Sequence, residues 1–278
     1  MTSKEDFFPV KDFFVNKTFP ESIFMGLPKG FVGILSSDNL LEESSQIAFQ
    51  EGLLAAKDGK KVLYIHSRHP LSVLERKTEV FLSSYLEKNP DCCYQSSDLP
   101  DLLKNFQVVD LYGKFSDILD ENYREWMISS WKEFDVIVVD SLDRIHHVDV
   151  SRMEFATEVY TALCQVAKKT DAAVLVVHLS QNLPDENGVS AYDSMEVVCS
   201  NLLTLDEGVS ISTPSSIKKW RKSESSIFPS LLLEFWYGFG DVDACRYLIL
   251  NNTFYPIGMD DQDIPEYLKN LIKEPSDL

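Results

Sequence analysis

The chain has 278 residues, 44% of them hydrophobic, which is enough for one large domain or two small ones with a substantial core. Apolar runs such as "DVIVVD" and "AAVLVVHL" fall far short of the roughly 20 residues a membrane span needs. A formal charge of −18 and a pI near 4.6 exclude a protein that grips nucleic acid over its whole surface, because phosphate contacts need clustered lysine and arginine.

The N-terminus, "MTSKEDFFPVKDFF", has acids where a signal peptide carries its apolar segment, so an intracellular location is expected. The near repeat "DFFPVK", "DFFVNK" places Phe7, Phe8, Phe13 and Phe14 in an aromatic arm assigned to residues 1–25. The arm packs either on its own sheet or in a neighbouring subunit, as aromatic anchors do. A core domain over 26–258 then alternates strand-like and helix-like segments, the mark of a largely parallel sheet covered by helices. "GFVGILSS" predicts a strand, and residues 40–59 a helix of near 3.6 period that stops at Gly59. "KKVLYIHS" follows as a strand, then a helix from about Leu71 to Glu87, a polar loop, the strand "FQVVDLYG" and the helix "NYREWMISSWKE". "FDVIVVDSLD" reads as a strand buried on both faces, followed by a helix over "MEFATEVYTALCQVAKKTD" and a second buried strand, "AAVLVVHLSQ". "SLLLEFWYGF" and "CRYLILNN" alternate as an antiparallel pair at the sheet edge, and 259–278 reads as an acidic, frayed tail.

The five cysteines, Cys92, Cys93, Cys164, Cys199 and Cys245, are odd in number and scattered, which suits reduced thiols. Neither Cys92 with Cys93 nor His66 with His69 nor His146 with His147 has zinc-ligand spacing, so no metal site is expected. One cationic cluster stands out, Lys218, Lys219, Trp220, Arg221 and Lys222. It is either a solvated loop or a nucleic-acid contact with Trp220 stacking on a base.

Strand, loop, helix, strand, and later an apolar strand ending in Asp is the layout of a P-loop nucleotidase. Four segments, "GILSSDNLLEESSQIAFQ", "GKKVLYIHSR", "FDVIVVDSLDRI" and "AAVLVVHLSQN", resemble in order and spacing the RecA-type core of strand-exchange recombinases and their paralogues, over roughly residues 25–185. The resemblance implies an α/β fold with a RecA-like P-loop core, a mostly parallel central sheet with helices on both faces, and antiparallel C-terminal edge strands. Laid on the motif G-x-x-x-x-G-K-S/T, the phosphate loop falls on Ser37, Glu42, Glu43 and Ser44, with both glycines and the lysine absent. No lysine occurs between Gly30 and Lys57. The glycines would let backbone N–H groups turn around phosphates and the lysine would supply the opposing charge; two glutamates instead repel a triphosphate by about 1 kcal/mol or more per unit pair. The same glutamates are favourable at a helix N-terminus.

Arg68 falls where the family's water-activating glutamate stands, so no general base is expected there. Asp140 matches the aspartate that holds the Mg²⁺ sphere, and Gln181 the nucleotide-sensing glutamine. In this chain Asp140 either caps its strand end or, with Asp143, faces a partner subunit; Gln181 either keeps its sensing place or is a loop residue. The resemblance thus implies a non-enzymatic paralogue with no bound cofactor, similar to the divergent subunits of Shu-type mediator complexes. Such a subunit would pair with an ATP-binding paralogue as a nuclear heterodimer. The pair would bind and remodel recombinase filaments on single-stranded DNA in homologous recombination and DNA repair. The alternative is a RecA-like scaffold subunit of an Elongator-type complex in tRNA modification.

Overall fold

A computed structural model describes residues 21–37, 41–82, 104–114, 116–180 and 193–199, the strands between 201 and 257, and Leu268. The chain enters through a hairpin of β1 (Ser22–Phe24) and β2 (Leu27–Pro28), turned by Met25 and Gly26 at φ 43 and 76. The boundary expected at residue 25 falls inside this hairpin.

The elements that follow are β3 (Val32–Ser37), α1 (Leu41–Lys57), β4 (Val62–His66), α2 (Leu71–Phe81), β5 (Phe106–Asp110), α3 (Glu121–Trp131) and β6 (Val136–Asp140). After a 3-10 turn (Leu142–Arg144) come α4 (Met153–Thr170), β7 (Ala173–Leu179), α5 (Ser194–Val198) and β8 (Asn201–Glu207). A short ribbon, β9 (Ile211–Ser212) with β10 (Ile227–Phe228), precedes β11 (Ser230–Tyr237), β12 (Val242–Leu250) and β13 (Thr253–Ile257).

Among the described residues one nine-stranded sheet runs in the order β13, β12, β11, β8, β3, β7, β6, β4, β5. The strands from β8 to β5 are parallel to one another. β11, β12 and β13 add to it in antiparallel sense, β11 against β8. The expected fold class is therefore the observed one: an α/β layer structure with a parallel centre and antiparallel C-terminal edge strands.

Period-two alternation splits each central strand between two cores. Val136 and Val138 pack with Ile47, Phe49, Leu53 and Tyr64 on the α1 and α2 side. Ile137 and Val139 pack with Trp131, Val159, Leu163 and Met195 on the side of α3, α4 and α5. With both faces covered, β6 and β7 read as continuous apolar runs.

Helix ends follow their local chemistry. α1 stops where Gly59 takes φ 84 and the N–H groups of Gly59 and Lys60 donate to the carbonyls of Ala56 and Ala55. α3 starts at Asp120, whose carboxylate accepts from the Tyr123 N–H at 2.8 Å. Gln50 of α1 fastens the far edge: its side-chain amide donates to the Phe254 carbonyl and accepts from the Phe254 N–H. Leu268, in the segment expected as a frayed tail, is fully buried in the first core.

Candidate functional site

The C-terminal ends of the parallel strands converge with the N-terminus of α1, the place where α/β sheets bind ligands. β3 ends at Ser37 and α1 begins at Leu41, so the stretch expected as a phosphate loop spans a strand end and the first helical turn. Its residues 38–40 lie outside the described residues. Ser44 donates to the Ser37 hydroxyl at 2.9 Å, and both are buried.

Glu42 is the charged centre of this turn. Its carboxylate accepts from Lys77 at 2.7 Å and lies 3.1 Å from His69 Nε2 and 3.5 Å from Arg68. Burial works to raise its pKa, but hydrogen bonds and charges from Lys77 and His69 outweigh burial and hold it at about 2. Arg68, at the position matched to a catalytic glutamate, thus meets the glutamate at the position matched to a loop glycine. A charge is reversed on one side and added on the other, and the two satisfy each other. Glu43 sits half-buried beside them on the same turn.

Asp140 ends β6 and is 2% exposed. Ser45 donates to Oδ1 and the Tyr64 hydroxyl to Oδ2, each at 2.6 Å. Its backbone carbonyl accepts from the Ser67 N–H at 3.0 Å and from the Ser67 hydroxyl at 2.9 Å. Ser45, one residue beyond the expected Ser44, is the α1 serine that reaches Asp140, and it also accepts from Arg68 at 3.4 Å. Burial, then the Asp140 charge and hydrogen bond, push the Tyr64 phenol well above its ordinary value, keeping it a donor. The His66 Nε2 accepts from the His69 N–H at 3.1 Å, which leaves the proton of a neutral ring on Nδ1, 3.7 Å from Asp140.

Of the two aspartates expected at a partner surface, the structure separates one from the other. Asp140 is interior, with both carboxylate oxygens engaged within the chain, because a buried charge is tolerated only when hydrogen-bonded. Asp143 is 64% exposed at the side chain, beside Arg144 at 3.3 Å. Phe7, Phe8, Phe13, Phe14, Gln181, Lys218, Lys219, Trp220, Arg221 and Lys222 lie outside the described residues, as do Cys92 and Cys93. Among the described residues, no group of three or more His, Cys, Asp or Glu is placed to hold a metal ion, and no helix is long and apolar enough to cross a membrane.

Sequence reasoning missed Ser45, Tyr64, His69 and Lys77 as members of this site. Tyr64 precedes His66 by two residues on a strand, which puts both on one face and was a usable signal. Lys77 lies 35 positions from Glu42, and only the packing of α2 brings it there.

No family model matches the sequence, and no curated protein matches it. Solved structures match in fold. An ATPase domain superposes with a TM-score of 0.53 at 11% identity, over 81% of this chain and 84% of that one. A DnaB-like replicative helicase matches with a TM-score of 0.51 at 11% identity; 81% of this chain is covered and 57% of the helicase. The RadB recombinase gives 0.49 at 18% identity, over 82% of this chain and 91% of that one. At such identities the likeness to the ATPase domain and the helicase speaks for the fold alone, and with the strand order it gives this chain a RecA-like α/β fold.

Proposed function

We propose that this chain is a non-catalytic RecA-like subunit of homologous recombination and DNA repair. It pairs in the nucleus with an ATP-binding paralogue, and the pair binds and remodels recombinase filaments on single-stranded DNA. The observation that carries the reading is the Glu42–Arg68 pair, reinforced by His69 and Lys77. A triphosphate entering here would meet carboxylates in place of a lysine and would have to break ion pairs to gain a cation. With an arginine where the water-activating group would stand, that position supplies no general base. What remains is a scaffold presenting Asp143 and the neighbouring strand ends to a partner. Direct DNA contact would fall to Lys218, Lys219, Trp220, Arg221 and Lys222, with Phe7, Phe8, Phe13 and Phe14 as docking aromatics.

Two measurements test this. Titration with labelled ATP and Mg²⁺ should give no saturable binding; tight Mg²⁺-dependent binding refutes the non-catalytic reading. Affinity purification from nuclear extract should recover a recombinase paralogue in stoichiometric amount. Recovery of a six-membered assembly with tRNA-modification subunits refutes the recombination pathway and favours the scaffold alternative.

A further inference from the structure

β8 is parallel to β3, so its C-terminal end lies on the edge of the sheet where β3 ends at Ser37 and β6 at Asp140. Beyond that end the hairpin of β8 and β11 continues as the ribbon of β9 and β10: Glu207 pairs with Leu231, then Ile211 with Phe228 and Ser212 with Ile227. The ribbon therefore roots the chain between Ser212 and Ile227 at the same edge as the Glu42 network.

Residues 213–226 lie outside the described residues, and their sequence is "TPSSIKKWRKSESS". It carries four cations, Lys218, Lys219, Arg221 and Lys222, against one acid, Glu224, a local charge of +3 in a chain of −18. Elsewhere the chain repels phosphate, so a nucleic acid held here depends on these cations. Six of the fourteen residues are serine or threonine, three before the cations and three after them. A phosphoryl group on such a hydroxyl carries about −1.5 to −2 at pH 7, so two of them cancel the local charge. Their reach is set by the covalent chain alone. Ser223 adjoins Lys222, and Ser216 is two residues from Lys218, a Cα separation of at most about 7 Å. That is inside the Debye length of about 8 Å at physiological salt, so each phosphate acts on the cations in any backbone conformation. An ammonium or guanidinium paired with it in cis is withdrawn from the phosphates of a nucleic acid.

We propose that the segment joining β9 to β10 is a phosphorylation-controlled nucleic-acid contact, in which phosphate on Ser216 and Ser223 switches off the cluster from Lys218 to Lys222. The inference rests on the DNA contact proposed for that cluster and adds its control. A serine/threonine protein kinase with ATP supplies the reaction. The serine Oγ attacks the γ-phosphorus, the new Oγ–P bond replaces the bond to the departing ADP oxygen, and the hydroxyl proton passes to the kinase base. Hydrolysis by a phosphatase restores the serine and releases inorganic phosphate.

Fluorescence anisotropy with a labelled oligo-dT strand and the full chain tests it. Four cations predict an affinity that falls about 50-fold between 50 and 200 mM salt. Ser216→Asp with Ser223→Asp offsets two of them, and should weaken binding about tenfold at physiological salt and halve the salt slope. The corresponding alanine pair should bind as the parent does, with the denaturation midpoint unchanged in both variants. Mass spectrometry of the protein isolated from its own cells should find phosphate on both serines. Full peptide coverage of the segment without phosphate, in cycling and in DNA-damaged cells, overturns the proposal. Binding that is lost with Lys218→Ala and Lys222→Ala but unchanged by the aspartate pair overturns the switch and leaves the DNA contact standing. No binding, or binding indifferent to the lysine variants as well, overturns the DNA contact itself and the switch with it.

Discussion

Replacing Glu42 by glutamine keeps the length of the side chain and removes its charge, which isolates the electrostatic part of the network around α1. A carboxyl held at about 2 instead of its ordinary 4.5 would correspond to roughly 3 kcal/mol in a buried site. The Glu42 side chain is 51% exposed, and solvent screening reduces this to about 1–2 kcal/mol, in line with three pairs of about 0.2–1 kcal/mol each. The sign is set by the direction of the shift. A depressed acid contributes its full stability above the unfolded-state value, and that contribution is lost as pH falls from about 4.5 towards about 2. Urea denaturation of the parent and Glu42→Gln should therefore show a difference of about 1–2 kcal/mol at neutral pH and low salt. The difference should shrink in concentrated salt and vanish at strongly acid pH. Equal stability at neutral pH, or a difference that neither acid nor salt reduces, would refute the argument that Glu42 is held by charge.

Tyr64→Phe removes one of the two hydroxyls that donate to the buried Asp140 carboxylate. A charged, interior hydrogen bond of this kind sets the loss at about 2 kcal/mol, read as a shift in the denaturation midpoint; a loss below about 0.5 kcal/mol would show that Asp140 does not rely on Tyr64. Glu51 makes the opposite case to Glu42, because burial raises its carboxyl to about 7 against the hydrogen bond from Tyr247 at 3.2 Å. The folded state then holds a proton that the unfolded chain releases between about pH 4.5 and 7, so stability declines as pH rises through that window. Glu51→Gln cannot titrate, and should flatten the stability profile between pH 5 and 8 by about 2 kcal/mol; an unchanged slope would sink this assignment.

Most of the parallel core was legible locally. β6 and β7 announce themselves as doubly buried strands because each is an unbroken apolar run with turn signals at its end, and α1 shows both its period and its Gly59 stop. β8 was not legible: "NLLTLDE" is short and ends in acids, and what makes it a strand is its pairing with β3 on one side and β11 on the other. α5 is too short for periodicity to signal, and is fixed by Asp193 capping the Met195 N–H. Likewise β13 is held by Gln50, 204 residues earlier in the chain. Local pattern carries no information about partners that far apart.

The site divides the same way. The sequence by itself determined that no lysine or glycine loop follows β3, that glutamates open α1, and that an arginine stands after β4, since those are identities at positions. It could not determine that Glu42 and Arg68 meet, or that Asp140 is interior while Asp143 is exposed. Those are consequences of which strands lie side by side and which helix covers them. Sequence fixes the charge of a group, and only the packing of the tertiary structure decides its neighbours and its access to water.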